Sequence, residues 1–174
     1  MQSAPTLHEL LIRALELQGQ GQLDAAQALF VQVLEKEPMN AVALYSNCLV
    51  EHHRGNNALA QRVTEEALQK APNFAHLHVL LGAILQAQGL KEPALKNYDA
   101  GLALDPTSIT ALLNSGVLLR DMLRHAEALE RFNRVVAQDP NNLTGLANCA
   151  VLLTEFKHSE HAIAMFQRLL EIKP

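Results

Sequence analysis

Apolar residues recur with a helical period along most of the chain. They stand three or four positions apart, as in Leu10, Ala14 and Leu17. This spacing places one side of a helix toward a core. Glycine and proline interrupt the pattern again and again, so it predicts many helices separated by turns.

The interruptions recur at a fixed interval of 34 residues. Five prolines follow it without exception, namely Pro38, Pro72, Pro106, Pro140 and Pro174. The period divides the chain into five units, 7–40, 41–74, 75–108, 109–142 and 143–174. Glycine stands at the fifteenth position, or slot, of the first three units, where a helix end needs a positive φ. Each unit is therefore predicted to be a helix–turn–helix.

Three columns of the repeat predict how the helices pack. Small residues fill slot eight and alanine fills slot twenty, so two helices can approach closely there. Slot twenty-four is aromatic in four of five units, which suits a filler between a unit and its neighbour. The slot-eight residues are Ala14, Cys48, Gly82, Gly116 and Ala150; the alanines are Ala26, Ala60, Ala94, Ala128 and Ala162; slot twenty-four holds Phe30, Thr64, Tyr98, Phe132 and Phe166.

These columns together resemble the tetratricopeptide repeat, whose pattern runs W-x2-L-G-x2-Y, A-x3-F and P. The third unit resembles it best, with Leu81-Gly82, Leu85, Ala94, Tyr98, Gly101 and Pro106. The resemblance implies an all-α, right-handed superhelical solenoid, with residues 1–174 as a single array that lacks a C-terminal capping helix. The chain departs from the pattern in having no Trp, and the second unit has Glu51 and Thr64 at apolar slots. We therefore expect 41–74 to be the least well packed unit.

The resemblance also implies that the first helices line a concave groove through slots two, five, nine, twelve and thirteen. Slots five and nine are apolar throughout, and no Lys or Arg stands in slots two, five, six or nine. We therefore expect a protein or peptide partner with apolar anchors, and no binding of a chaperone's acidic C-terminus. The alternative is that slots five and nine mainly pack adjacent first helices. The expected partner-binding residues are Leu11, Leu15, Tyr45, Leu49, His52, Val79, Ala83, Leu113, Asn114, Val117, Asn148 and Val151.

Slot six raises a second resemblance. Asn114 and Asn148 occupy it in the last two units, and asparagines at this slot resemble the ladder that grips peptide backbone in O-linked N-acetylglucosamine transferases. Ile12 and Leu80 interrupt any such ladder here. A local role, in which the amides satisfy nearby backbone, is an equal alternative.

Charge and composition exclude several classes of protein. The formal net charge is −4 and no basic run appears, so no nucleic-acid partner is expected. No apolar run approaches 18 residues and no signal peptide is readable, so no membrane span is expected. Cys48 and Cys149 lack motif spacing, which favours a reducing, cytoplasmic compartment.

No pattern of catalytic or metal-binding residues is found. Among the eight histidines, no pair stands at i, i+4 with a third ligand close by. His78 is expected to be a packed ring with one hydrogen bond, and Cys48 a buried, inert thiol. We therefore expect no metal, no cofactor, no catalytic residue and no enzymatic activity.

Three hypotheses remain open. The chain is a scaffold that binds partners in its groove, the recognition arm of a larger enzyme such as a glycosyltransferase, or a module that self-associates through its array ends. The final segment RLLEIKP ends on the fifth terminator, Pro174. We therefore expect that the natural chain continues or that this end is covered by another molecule, and that Leu153, Ile163 and Phe166 lack cover.

Overall fold

A computed structural model describes residues 5–172, which form ten α-helices and, within that range, no strand. The helices are α1 (Leu7–Gly19), α2 (Leu23–Lys36), α3 (Ala41–His53), α4 (Asn57–Lys70), α5 (Ala75–Ala87), α6 (Lys91–Leu104), α7 (Ile109–Asp121), α8 (His125–Gln138), α9 (Leu143–Glu155) and α10 (Ser159–Ile172). Each predicted unit contains one pair of helices, which confirms the all-α repeat. Pro38, Pro72, Pro106 and Pro140 each lie two residues beyond a second helix; Pro174 lies outside the described residues.

The turn inside each repeat uses one residue with positive φ. Gly21, Gly55 and Gly89 adopt φ values of 75° to 79°, as predicted for slot fifteen. Leu123 and Lys157 occupy the same slot in the last two repeats and adopt φ of 60°. A non-glycine residue strains the backbone there, so the turn geometry is imposed by the packing of the two helices.

The packing columns behave as predicted. The five slot-twenty alanines are at most 3 % exposed. A Cβ added at Gly116 would lie 2.7 Å from Cε1 of Phe132, so a side chain at slot eight of the fourth repeat would collide with the slot-twenty-four ring. The small residue and the aromatic ring therefore form one contact between α7 and α8.

The helices group into two compact units, Met1–Gln88 with α1 to α5 and Gly89–Pro174 with α6 to α10. In the first unit, α3 contributes to two apolar clusters. Ala43 and Val50 pack with α1 and α2 residues such as Phe30, whereas Leu44 and Cys48 pack with residues of α4 and α5. Each repeat of this unit thus needs a neighbour to complete its core. The single continuous array stays a prediction.

The two polar departures in the second repeat are buried and hydrogen-bonded. Glu51 is 4 % exposed, and its Oε1 accepts hydrogen bonds of 2.6 Å from Gln27 Nε2 and from Arg54 Nη1. Thr64 is fully buried and its hydroxyl donates to the carbonyl of Ala60 at 2.7 Å. Buried polar groups with partners cost far less than unpaired ones, which explains why both residues are tolerated.

The last helix is the least buried of the described helices. Ala162 is its only buried residue, while Ile163 is 55 % and Phe166 43 % exposed. Leu153 on α9 is half-buried. The expected lack of cover is therefore confirmed at Ile163 and Phe166.

Candidate functional site

In the first unit, the first helices α1, α3 and α5 are neighbours and together form one surface. Leu15 is 41 % exposed on it, and Leu11, Tyr45 and Leu49 are half-buried. The latter three also pack against the apolar clusters, so slots five and nine serve both packing and surface. Ala83 is half-buried. Val79 is only 9 % exposed and belongs to the core.

The N-terminal edge of this surface holds an aromatic cleft of about 420 Å³ that sequence reasoning did not find as a site. The imidazole centroid of His76 lies 5.8 Å from the Tyr45 ring and 5.5 Å from the Phe74 ring. Ala41 and Val42 complete the lining. A signal was present in the sequence, because Phe74 stands where the neighbouring units have Asn40 and Ser108.

The C-terminal edge of the same surface carries a histidine pair. The imidazole rings of His52 and His53 lie 6.4 Å apart. Burial lowers the pKa of His52, and the charge of His53 lowers it further. His52 is therefore uncharged at neutral pH, and it offers a polar but neutral edge to the surface.

In the second unit, the corresponding surface comes from α7 and α9. Leu113 and Val117 are half-buried and Val151 is 43 % exposed. A hydrogen bond joins the two helices, in which Nη1 of Arg120 donates to Oδ1 of Asn148 at 2.6 Å. This surface therefore combines apolar side chains with one guanidinium that is already engaged.

Both slot-six asparagines have partners within the chain. Nδ2 of Asn148 donates to the carbonyl of Thr144 at 2.8 Å, while its Oδ1 accepts from Arg120. Asn114 is hydrogen-bonded to the side chain of Tyr98, a ring whose pKa is raised by burial. This arrangement fits the local interpretation of the two asparagines, because amides held in this way are not free to grip a peptide backbone.

The described residues form no metal site and present no reactive thiol. No group of three or more His, Cys, Asp or Glu side chains within residues 5–172 could hold a metal ion. Nε2 of His78 lies 2.9 Å from the carbonyl of Pro72, which confirms the single expected hydrogen bond. Burial raises the pKa values of Cys48 and Cys149 to about 11, so both thiols are protonated at neutral pH.

Membrane insertion of a helix finds no support in the part of the chain that the structure describes. None of its helices combines the length and the apolar character that a bilayer span requires.

Comparison with known proteins identifies the family. One sequence model of the tetratricopeptide repeat matches residues 13–60, and a second model of the same repeat matches residues 110–142. Together with the ten paired helices and the relatives below, these matches show that the chain is a tetratricopeptide repeat protein. Members of this family are generally non-catalytic scaffolds.

Two curated relatives match about three fifths of the chain. Human tetratricopeptide repeat protein 7A is 30 % identical over 105 residues, 60 % of this chain and 12 % of that protein. The protein CTR9 homolog of Arabidopsis thaliana is 30 % identical over 103 residues, 59 % of this chain and 9 % of that protein. The chain thus spans about a tenth of the length of these relatives.

Solved structures share the fold over nearly the whole chain. A crystal structure of MamA superposes with a TM-score of 0.79 at 18 % identity, covering 92 % of this chain and 94 % of MamA. PilF of Pseudomonas aeruginosa superposes with a TM-score of 0.86 at 19 % sequence identity, covering 97 % of this chain and 77 % of PilF. YrrB, a tetratricopeptide repeat protein with an unusual peptide-binding site, superposes with a TM-score of 0.72 at 24 % sequence identity, covering 97 % of this chain and 87 % of YrrB. At these identities the likeness establishes the fold.

Proposed function

We propose that the chain is a non-catalytic scaffold that binds a peptide or helix of a partner protein on the surface of its first helices. The observation that carries this proposal is the exposure of apolar side chains on the first helices of each unit, with Leu15 41 % exposed in the first unit and Val151 43 % in the second. Exposed apolar residues that share one face mark interaction sites in soluble domains. The tetratricopeptide repeat fold supports the same role, and YrrB is a relative in fold that has a peptide-binding site.

The chemistry of the surface defines the partner. Slots two, five, six and nine of the described repeats carry no Lys or Arg, so an acidic peptide gains no ion pair from them. Leucine, isoleucine or phenylalanine anchors, by contrast, would be removed from water. Each well-buried anchor contributes roughly 1.5–3 kcal/mol before the costs of ordering the peptide. A partner segment with apolar anchors is therefore the best match, and neither nucleic acid nor membrane is.

The test is capture of a partner by variants of the surface. Leu49→Arg and Val117→Arg each place a charge among the apolar side chains of one unit, and each is expected to abolish capture from a cell extract. Gln69→Arg on the exposed side of α4 is the matched control and should capture normally. Circular dichroism establishes that each variant is folded. Unchanged capture by both folded surface variants would refute the proposal.

The proposal also includes the absence of catalytic activity and a cytoplasmic location. The two protonated, buried thiols supply no nucleophile, and we infer that the chain works without catalysis or cofactor. Two free cysteines also suit a reducing cytoplasm. Fractionation of cells that express a tagged chain tests the compartment, and recovery in an oxidising compartment would contradict it.

A second candidate function is self-association through α10. The observation that favours it is the row of exposed apolar residues on that helix, with Ile163 55 % and Leu170 65 % exposed. Sedimentation velocity over a range of concentrations tests it. The candidate requires a mass that rises with concentration in the wild type and stays monomeric in Ile163→Gln/Leu170→Gln. A concentration-independent monomer would exclude it.

A further inference from the structure

Two aromatic residues that depart from the repeat pattern, Tyr45 and Phe74, meet beside His76 at one place in the first unit. Tyr45 is the one aromatic residue at slot five, where the other repeats have Leu11, Val79, Leu113 and Ala147. Phe74 and His76 come from the connection between α4 and α5 and from the start of α5. The ring of His76 lies 5.8 Å from that of Tyr45 and 5.5 Å from that of Phe74, and Ala41 and Val42 line the cleft with them.

Phe74 lines this cleft in place of a residue that could cap the N-terminus of α5 with a side-chain hydrogen bond. The first helices α1, α3, α7 and α9 have Thr6, Asn40, Ser108 and Asn142 at the N-cap, and each of these side chains accepts a hydrogen bond from a backbone N–H of the first turn. The N-cap of α5 is Phe74, which makes no such hydrogen bond. Residues that break a local rule at a structural cost concentrate at functional sites.

The cleft is rigid on its inner side and open on its outer side. Tyr45 and Phe74 pack against the core cluster that includes Leu77 and Leu80. His76 and Val42 are exposed, Val42 to 45 %. Burial also raises the pKa of Tyr45, so its hydroxyl keeps its proton at any physiological pH. Rings that are already held by core packing lose little conformational entropy when a ligand covers them, and this small entropic cost favours binding.

We propose that this aromatic cleft binds an uncharged aromatic side chain of a partner peptide. The proposal rests on the peptide-binding function above and assigns its anchor. None of the five lining residues is Asp, Glu, Lys or Arg, so the complementary group is uncharged. A ring gains edge-to-face and offset contacts with Tyr45, Phe74 and His76 in addition to burial, whereas an aliphatic side chain gains burial alone.

The experiment selects peptides from an unbiased displayed library against the wild-type chain and measures their affinities. We expect Phe, Tyr or Trp to be enriched at one peptide position, and replacement of that residue by Leu to weaken binding about two- to tenfold. Phe74→Asn removes a ring and installs the cap found at Asn40, so binding should fall roughly tenfold. The melting temperature should shift by less than about 5 °C, because the new cap offsets lost packing.

Four variants separate the outcomes, namely Gln69→Ala, His76→Ala, Phe74→Asn and Leu49→Arg. Gln69→Ala on α4 should bind every selected peptide as the wild type does, while His76→Ala should weaken the aromatic peptides without altering the fold. Selected peptides whose affinity falls in Leu49→Arg but is unchanged in both Phe74→Asn and His76→Ala would refute the aromatic anchor and leave the proposed function supported. Selected peptides without an enriched aromatic residue would refute the anchor in the same way. Failure to select any peptide sensitive to Leu49→Arg would overturn both.

Discussion

Gly19 at the end of α1 and Gly21 in the turn between α1 and α2 have opposite conformational requirements. Gly21 adopts φ of 75°, a region that costs a residue with a Cβ roughly 1–2 kcal/mol. Gly19 is the last residue of α1, and no atom lies within 4 Å of a Cβ added there. The turn thus offers a matched pair of sites, two residues apart, at which the same substitution acts in opposite directions.

We expect Gly21→Ala to lower the free energy of unfolding by about 1 kcal/mol and Gly19→Ala to raise it by about 0.5–1 kcal/mol. The gain at Gly19 comes from reducing the freedom of the unfolded chain without strain in the folded one. Urea denaturation of the two variants and the wild type measures both changes. Equal effects of the two substitutions would contradict the positive-φ account of the turn.

His52 makes the folded chain sensitive to acid. Its folded-state pKa lies below the ordinary value of 6.5, chiefly because burial penalises the imidazolium. Between these two pKa values the unfolded chain binds more protons, so the free energy of unfolding falls as the pH falls below about 6.5. We expect His52→Gln to lose less stability than the wild type between pH 7.5 and 5.5 in urea titrations. His158→Gln, at an exposed histidine, is the control, and an equal pH response in all three chains would contradict the assignment.

At the scale of elements, the spacing between α7 and α8 is set by Gly116. An alanine Cβ there would lie 2.7–3.1 Å from three carbons of the buried Phe132 ring, so the ring or the helix must move. We expect Gly116→Ala to destabilise the chain by roughly 1–3 kcal/mol, the usual cost of overpacking. Thermal unfolding measures it. The contrasting Gly19→Ala variant separates this packing effect from the general gain of replacing a helical glycine, and stabilisation by Gly116→Ala would refute the close-contact account.

The second repeat is expected to open more readily than its neighbours. Thr64 fills slot twenty-four with less volume than the rings of Phe30 or Phe132, and its hydroxyl is bonded within its own helix. Fewer apolar contacts lower the free energy of local opening. Amide hydrogen exchange should therefore be faster in residues 41–74 than in 75–142. Slower exchange in 41–74 would mean that the hydrogen bonds of Glu51 more than compensate.

The helices could be predicted from the sequence because a 34-residue period repeats the same physical requirement five times. A small residue such as Gly116 and a large one such as Phe132 reveal their contact through their columns, even without coordinates. Single departures are harder to interpret. Leu123 adopts a positive φ that its residue type does not predict, and Val79 is buried although the other slot-five residues are half-buried.

The candidate site was predictable only in part for the same reason. Leu15 and Val151 could be assigned to the surface because slot nine is at least partly exposed in every repeat. The aromatic cleft requires Tyr45 of one repeat to meet Phe74 and His76 at the next boundary, and that meeting occurs once in the described chain. An arrangement that does not repeat leaves no periodic signal, so it becomes visible only when the side chains are placed.

On the scale of the whole molecule, the formal net charge is −4, yet slots two, five, six and nine of the repeats hold no Asp, Glu, Lys or Arg. Charged side chains at other positions form ion pairs, as with Arg131 and Asp99 at 2.7 Å or Arg124 and Glu127 at 2.7 Å. Pairs at the surface, such as Arg124 with Glu127, contribute little to stability. Association with the expected partner must then depend on the removal of apolar surface from water, which does not require opposite charges.

This distribution predicts binding that is nearly independent of salt. Screening lengths fall from about 14 Å at 0.05 M to about 4 Å at 0.5 M salt, so any affinity built on exposed ion pairs would fall sharply over that range. We expect the dissociation constant of a selected aromatic peptide to change less than about twofold between 0.05 M and 0.5 M NaCl, measured by fluorescence anisotropy. An acidic peptide that ends in a chaperone's terminal carboxylates is the matched comparison and should not bind. Micromolar binding of the acidic peptide that disappears at 0.5 M NaCl would show that cations outside slots two, five, six and nine, such as Arg120, form the recognition site instead.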